Sequence, residues 1–149
     1  MTAGTARAIE RAGVVGAGGG GFPAHVKAQA AADIVLGNGA ECEPLLRADS
    51  ELMVRRPERV IRGAALIRDA VGASRAVIAV KAKNERAVSA LRSGLGGDQG
   101  VEILPLENVY PAGDEYLLVF GATGRAVPEG GIPLDVGVVV NNVTTLAQI

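Results

Sequence analysis

Apolar and polar positions along this 149-residue chain fall in blocks that switch between a helical period and a strand period. Thr2 to Ala12 predicts a short helix, with alanines on one face and Arg7, Glu10 and Arg11 on another. Gly13-Val14-Val15 leads into a glycine run over 16–21, then Phe22-Pro23. Pro23 suits the first turn of a helix, carried by the pattern from Ala24 to Ala31. Asp33 to Gly37 reads as a short buried strand, running into a polar loop from Asn38 to Pro44. Asp49 to Arg55 is a short helix, and Pro57 opens a longer one to Val71. Val60, Ala64, Ile67 and Val71 share one face of it, and Gly72 stops it. Ala76 to Val80 is almost continuously apolar, as a central strand covered on both faces should be. Asn84 caps a helix with the stripe Ala87, Val88 and Leu91. A turn over 94–100 precedes the strand Val101 to Leu104. Tyr110 to Glu115 leads into a helix ending near Phe120. A glycine- and proline-rich loop from Thr123 to Pro133 precedes a last strand, Val136 to Val140, and Asn142 caps a final helix. Strands alternating with helices predict one α/β domain, a layered sandwich around a mainly parallel sheet.

Composition narrows the function classes. Hydrophobic residues make up 48% and charged residues 21%, so the chain can bury a real core. A net charge of -1 gives no field to attract nucleic acid or an anionic membrane. Aromatics are 3% with no Trp, which leaves few platforms for base stacking. No apolar run reaches the ~18 residues of a membrane helix, and the N-terminus lacks the apolar stretch of a signal peptide. A cytoplasmic protein is the expectation. The single Cys42 forms no internal disulfide and cannot hold an iron–sulfur cluster, which takes about four thiolates. Flanked by Glu41 and Glu43, it is not expected to be a nucleophile. The 21 glycines are about twice the usual ~7% and cluster beside apolar segments, which suggests backbone closely approaching something. The final helix has barely begun at Ile149 and no polar tail follows, as expected of the N-terminal part of a longer protein.

Four constellations can carry chemistry. Gly16-x-Gly18-x-x-Gly21 has the spacing of a dinucleotide fingerprint, in which backbone N–H groups touch phosphate. Only Val14-Val15 precedes it, and Phe22-Pro23 stands where a Rossmann helix would already run. The loop therefore reads as a phosphate or planar-cofactor wrap in a different architecture, or as a flexible turn. Asn38, Glu41 and Glu43 follow a strand, where open α/β sheets bind ligands. They suit ribityl hydroxyls or a flavin ring N–H, and equally suit capping the next helix. Gly113-Asp114-Glu115 opens a helix, where acids complement the dipole. Asn141-Asn142 follows the last strand, where one of them caps a helix. Lys27 is a phosphate partner or a surface lysine, and His25 a structural hydrogen-bonder. No residue is assigned to metal binding or to covalent or acid–base catalysis.

Together these segments resemble a known family. GVVGAGGGGFPAHVK (13–27) is similar to the flavin loop of the Rnf electron-transport complex C subunit and of the complex I flavin subunit. NGAECEP (38–44), VYPAGDE (109–115) and GVVVNNV (137–143) are similar to the next three family motifs, in family order. Gly72-Ala-Ser and Ile78-Ala-Val-Lys81 resemble the cobalamin-reductase branch of propanediol-utilisation microcompartments. The resemblance implies a Rossmann-like three-layer α/β/α domain over 1–149, binding FMN and taking electrons from NADH. It implies that Gly16, Gly18 and Gly19 line the FMN, with Lys27 near its phosphate and ribityl end. Asn38 and Glu41 contact the ribityl chain and ring, and Gly113, Glu115, Asn141 and Asn142 complete the pocket. Phe22 and Glu43 lie where nicotinamide stacks over flavin. Electrons then leave to iron–sulfur clusters outside this chain, in C-terminal domains or a partner protein, in the cytoplasm or inside a microcompartment. The sequence departs from the family pattern at Ala40, where complex I relatives have an acid. It departs at Tyr116, where the Rnf type has a lysine, and at Ala30, where complex I relatives use an aromatic against NADH. Two other readings stay open: a degenerate flavin domain kept as an assembly module, and an NAD-dependent dehydrogenase domain.

Overall fold

A computed structural model describes residues 2–43, 45–97 and 100–149. Pro44, at the end of the polar loop, and Asp98 and Gln99 of the turn over 94–100 lie outside them. In chain order the elements are α1 (Thr2–Arg11), α2 (Ala24–Ala28), β1 (Ile34–Gly39), α3 (Ala48–Arg55), α4 (Pro57–Val71), β2 (Arg75–Lys81), α5 (Glu85–Gly94), β3 (Val101–Leu106), α6 (Glu115–Thr123), β4 (Val138–Asn142) and α7 (Val143–Gln148). No helix among the described residues is long and apolar enough to cross a membrane.

The four strands form one parallel sheet in the order β3-β2-β1-β4. The chain moves outward from β1 through β2 to β3, then returns to the other side of β1 as β4. The boundary between β1 and β4 is therefore the point where strand order reverses, and open α/β sheets bind ligands outside the strand ends there. Alternation sorts the strand residues onto two faces. Val35, Ala76, Ile78 and Val139 join a core with α1, α2, α3, α4, α5 and α7. Ile34, Leu36, Val77, Ala79, Val138 and Val140 pack on the other side, where Leu118 and Val119 of α6 cover them. The expected three layers are present, thick on one side and one helix thick on the other.

Several boundaries differ from the sequence pattern. α2 stops at Ala28 instead of Ala31. β1 runs on through Asn38 and Gly39, because a parallel strand continues while its neighbours supply backbone partners up to Gly39↔Val80. β3 likewise extends to Leu106, passing Pro105, which an edge strand tolerates. The last strand begins at Val138 and ends at Asn142, two residues later than the pattern gives. Pro133–Val136 form a 3-10 turn instead, closed by Gly137 at φ 73.

Close contacts between elements explain part of the glycine excess. A Cβ on Gly63 of α4 would sit 1.9 Å from the Leu146 carbonyl oxygen of α7. A Cβ on Gly39 would meet Met53 Sδ of α3 at 2.8 Å. These contacts seat α7 on α4, and α3 against the outer end of β1. Gly63→Ala should therefore destabilise the domain by ~3 kcal/mol and lower the melting temperature by roughly 6–12 °C. Gly121→Ala in α6 meets nothing within 4 Å and should be neutral or stabilising by up to ~1 kcal/mol. Paired thermal melts of the two variants check both signs.

Candidate functional site

The glycine run is a closed excursion. Val15 and Pro23 form an antiparallel bridge, and the Gly16 N–H donates to the Phe22 carbonyl at 2.7 Å. Residues 17–21 between these ties are exposed. The Ala17 N–H donates to Thr145 Oγ1 at 2.9 Å, and a Cβ on Gly18 would lie 3.6 Å from Asn142 Cβ. The loop thus lies beside the junction of β4 and α7.

Asn38 and Asn142 are register partners at the ends of β1 and β4. The Asn38 side chain joins two loops: Nδ2 donates to the Gly113 carbonyl at 2.9 Å, and Oδ1 accepts from the Ala40 N–H at 3.2 Å. The Gly113 N–H donates to Cys42 Sγ at 3.0 Å. A shared role thereby fixes Asn38, Cys42 and Gly113, and the lone thiol serves as a hydrogen-bond acceptor. Asn142 caps α7 as expected, Oδ1 accepting from the Thr144 N–H at 2.7 Å. Its Nδ2 donates to Asp49 of α3 at 2.8 Å, and Thr144 Oγ1 donates to the same carboxylate at 2.7 Å. Asn141 differs: its Nδ2 is buried and has no partner among the described residues. A buried amide without a partner costs free energy.

Lys27 lies at the centre. Its Nζ donates to the Val140 carbonyl at 2.5 Å and stands 5.7 Å from the centroid of the Phe22 ring. Burial lowers its pKa below the usual 10.5, and the charge of Glu115 partly opposes this. One ammonium thus connects the glycine loop, β4 and the start of α6. Asp114 caps α6, accepting from the Tyr116 and Leu117 N–H groups at 3.0 and 3.1 Å.

Glu41 takes the capping role that its position left open. Its carboxylate accepts from the N–H groups of Asp49 and Ser50 at 2.9 and 3.1 Å, and from Ser50 Oγ at 2.5 Å. These bonds hold a backbone at φ 39, left-handed for a residue with a side chain. Glu43 is exposed on the same loop. Gly16, Gly18, Phe22, Lys27, Asn38, Gly113, Glu115, Asn141 and Asn142 are linked directly or through one neighbour, and Gly19 rides on the exposed loop. Thr145 and Asp49 complete the arrangement without having been singled out in the sequence. Thr145 adjoins the asparagine pair, whereas nothing local marks Asp49. No group of three or more metal-ligating side chains occurs among the described residues. Hydrogen-bond donors and one ammonium around a glycine crevice suit a polyhydroxylated anion.

Two outcomes test this geometry. Glu41→Ala should cost ~1–2 kcal/mol in urea unfolding, because it uncaps α3 and leaves the positive φ uncompensated. The second concerns pH. With its folded pKa lowered, Lys27 holds its proton less tightly folded than unfolded. Its burial penalty is complete below the folded pKa and is relieved as pH rises towards 10.5. The wild-type unfolding midpoint should therefore gain on that of Lys27→Met as pH is raised from 7 through the lysine's folded pKa. A difference independent of pH would contradict the assignment.

Comparison with known proteins shows the family of the chain. The sequence model described as the Nuo51 FMN-binding domain matches residues 9–149. The chain is 52% identical over 141 residues to the cobalamin reductase PduS of Citrobacter freundii, covering 95% of this chain and 31% of that protein. It is 43% identical over 145 residues to the C subunit of the Na(+)-translocating ferredoxin:NAD(+) oxidoreductase complex of Acetobacterium woodii, covering 95% and 33%. The chain thus spans about a third of the length of these relatives. Among solved structures, an NAD+-reducing [NiFe]-hydrogenase in the air-oxidized state superposes with a TM-score of 0.84 at 27% identity, over 99% of this chain and 29% of that one. With the family model matching residues 9–149 and the same fold, the chain belongs to the Nuo51 FMN-binding domain family.

Proposed function

We propose that this domain binds FMN in the crevice at the ends of β1 and β4 and serves an NADH-dependent electron-transfer flavoprotein. The observation that carries the reading is the convergence, at the strand-order reversal, of the glycine loop, the Lys27 ammonium and the Asn141 amide, which has no partner among the described residues. A flavin mononucleotide fits this donor set: a phosphate for an ammonium and loop N–H groups, and a ribityl chain for side-chain amides. Bound flavin supplies the chemistry, taking up a hydride and releasing single electrons.

The chain's own residues orient and tune. Gly16, Gly18 and Gly19 keep the loop free of side chains where the cofactor must pass. Lys27 sets positive charge against the phosphate and ribityl end, and Glu115 holds that charge in place. Asn38 and Gly113 fix the loop walls through their mutual hydrogen bond, and Glu41 braces α3 behind them. Asn142 positions α7, leaving Asn141 to donate to the ligand. Phe22, half exposed, and Glu43 flank the open side, where nicotinamide would stack. With one cysteine in the chain, the iron–sulfur centres that accept the electrons belong to further domains or partner proteins. The setting that goes with this reading is the cytoplasm or the inside of a microcompartment.

An FMN titration of the purified chain, followed by absorbance and calorimetry, tests the reading. One FMN per chain is expected. Gly18→Val, which drives methyl groups towards Asn142, should weaken binding at least ~10-fold while the melting temperature holds. Addition of NADH without oxygen should then bleach the flavin colour. A folded chain that takes up no FMN would sink the proposal, whereas FMN retained without bleaching would sink its NADH step.

A further inference from the structure

The first turn of α3 is a polar hub. Asp49 turns its carboxylate to the start of α7: Oδ2 accepts from Asn142 Nδ2 at 2.8 Å, and Oδ1 accepts from Thr144 Oγ1 at 2.7 Å. Both partners are donors, so a carboxylate, with two acceptor oxygens, satisfies both. An amide in its place would set an N–H group against one of them. Ser50 follows. Its Oγ accepts from Asn84 Nδ2 of the α5 cap at 2.8 Å and donates to Glu41 at 2.5 Å. The N–H groups of Asp49 and Ser50 also donate to Glu41. One turn further on, Met53 is fully buried against Gly39 of β1. The helix is thus anchored to the loop after β1, to α5 and to the sheet by groups other than the Asp49 carboxylate. That carboxylate stands on a well-supported base.

Helix α7 is held differently. It has six residues, well short of the ~12–15 at which an isolated helix becomes marginally stable. Its later part packs on α4 through Leu146. Its start carries the groups that meet the crevice. Thr145 Oγ1 accepts from the Ala17 N–H and so ties down the glycine loop. Asn142 lies beside Gly18, and Asn141, the residue before it, holds the buried amide that has no partner among the described residues.

We propose that Asp49 is a positioning residue of the cofactor crevice. By holding Asn142 and Thr144 it fixes the start of α7, and with it the Thr145 hydroxyl that anchors the glycine loop and the direction of the Asn141 amide. Its effect on the ligand rests on the FMN reading above, whereas its hold on the loop does not.

Two measurements test this, the first without cofactor. Amide hydrogen exchange of the FMN-free chain, followed by NMR, should show the Ala17 and Thr144 N–H groups exchanging at least ~10-fold faster in Asp49→Ala than in the wild type. In an FMN titration, Asp49→Ala should raise Kd at least ~10-fold. Asp49→Asn keeps one acceptor and should change both quantities by about 3-fold, so it carries the test if Asp49→Ala does not fold. Val101→Ala controls for stability. Val101 is buried at the start of the edge strand β3, at the opposite end of the sheet from the crevice. This variant should lower the melting temperature yet leave Ala17 exchange and FMN affinity within ~2-fold. Unchanged Ala17 exchange in the Asp49 variants would overturn the proposal. So would equal effects of Val101→Ala, which would make Asp49 a contributor to stability alone. If the wild type binds FMN and the Asp49 variants bind it equally well, the role in positioning the cofactor falls while the FMN reading stands. A wild type that takes up no FMN fails that reading, and Ala17 exchange then decides alone whether Asp49 fixes the loop.

Discussion

Helix α7 is seated so closely on α4 that only a hydrogen atom fits at Gly63. The rest of the site depends on that contact. With α7 held there, Leu146 reaches over β1, where a Cβ on Gly37 would stand 3.0 Å from its Cδ1. The start of α7 is thereby fixed at the end of β4. Asn142 and Thr144 then reach Asp49, which places α3, and Thr145 receives the N–H of Ala17, which places the glycine loop. Three segments far apart in sequence meet because one helix lies flush on two glycines. A methyl group at Gly63 acts on packing, yet it would displace hydrogen-bonding groups at every edge of the crevice.

The elements were legible where the pattern was local. The stripe from Val60 to Val71, the caps at Asn84 and Asn142 and the acids at the start of α6 all occur as the sequence indicates. Strand ends were less legible. Asn38 and Asn142 look like loop residues by composition, yet lie in strands because their neighbours supply hydrogen bonds that local sequence does not encode. Glu41 was ambiguous for a related reason. A carboxylate near a helix start suits a cap or a ligand equally, and the choice depends on where α3 falls in space. Asp49 carried no signal, because its partners lie 93 and 95 residues away. The family motifs single out residues whose supporting hydrogen bonds are long-range.

The two faces of the sheet divide the work. The thick face, with six helices over Val35, Ile78 and Val139, supplies the base. The thin face carries α6 alone, and α6 is apolar nearly all round. Leu118 and Val119 are buried beneath it, while Leu117 and Phe120 stay 53% and 58% exposed. The start of this thinly supported helix brings Gly113 and Glu115 to the crevice. Its placement relies on polar ties, namely the Asp114 cap and the bond from Asn38 to Gly113. Packing fixes one wall of the site and hydrogen bonds fix the other.

Local rules of stability are broken in one small region. Lys27 is desolvated, the Asn141 amide is buried without a partner, and Glu41 adopts a left-handed backbone. Away from the crevice those rules hold more closely: Asn84 caps α5, Gly72 closes α4 in the left-handed conformation, and the two cores are apolar. Proteins tend to carry such conflicts at functional sites. An anion near Lys27 would restore the favourable charge balance that burial removes. An acceptor near Asn141 would end its isolation. Glu41 resolves its own strain through α3, so its cost is met within the protein. The first two defects call for a negatively charged, oxygen-rich molecule, and the third keeps the wall of its pocket in place.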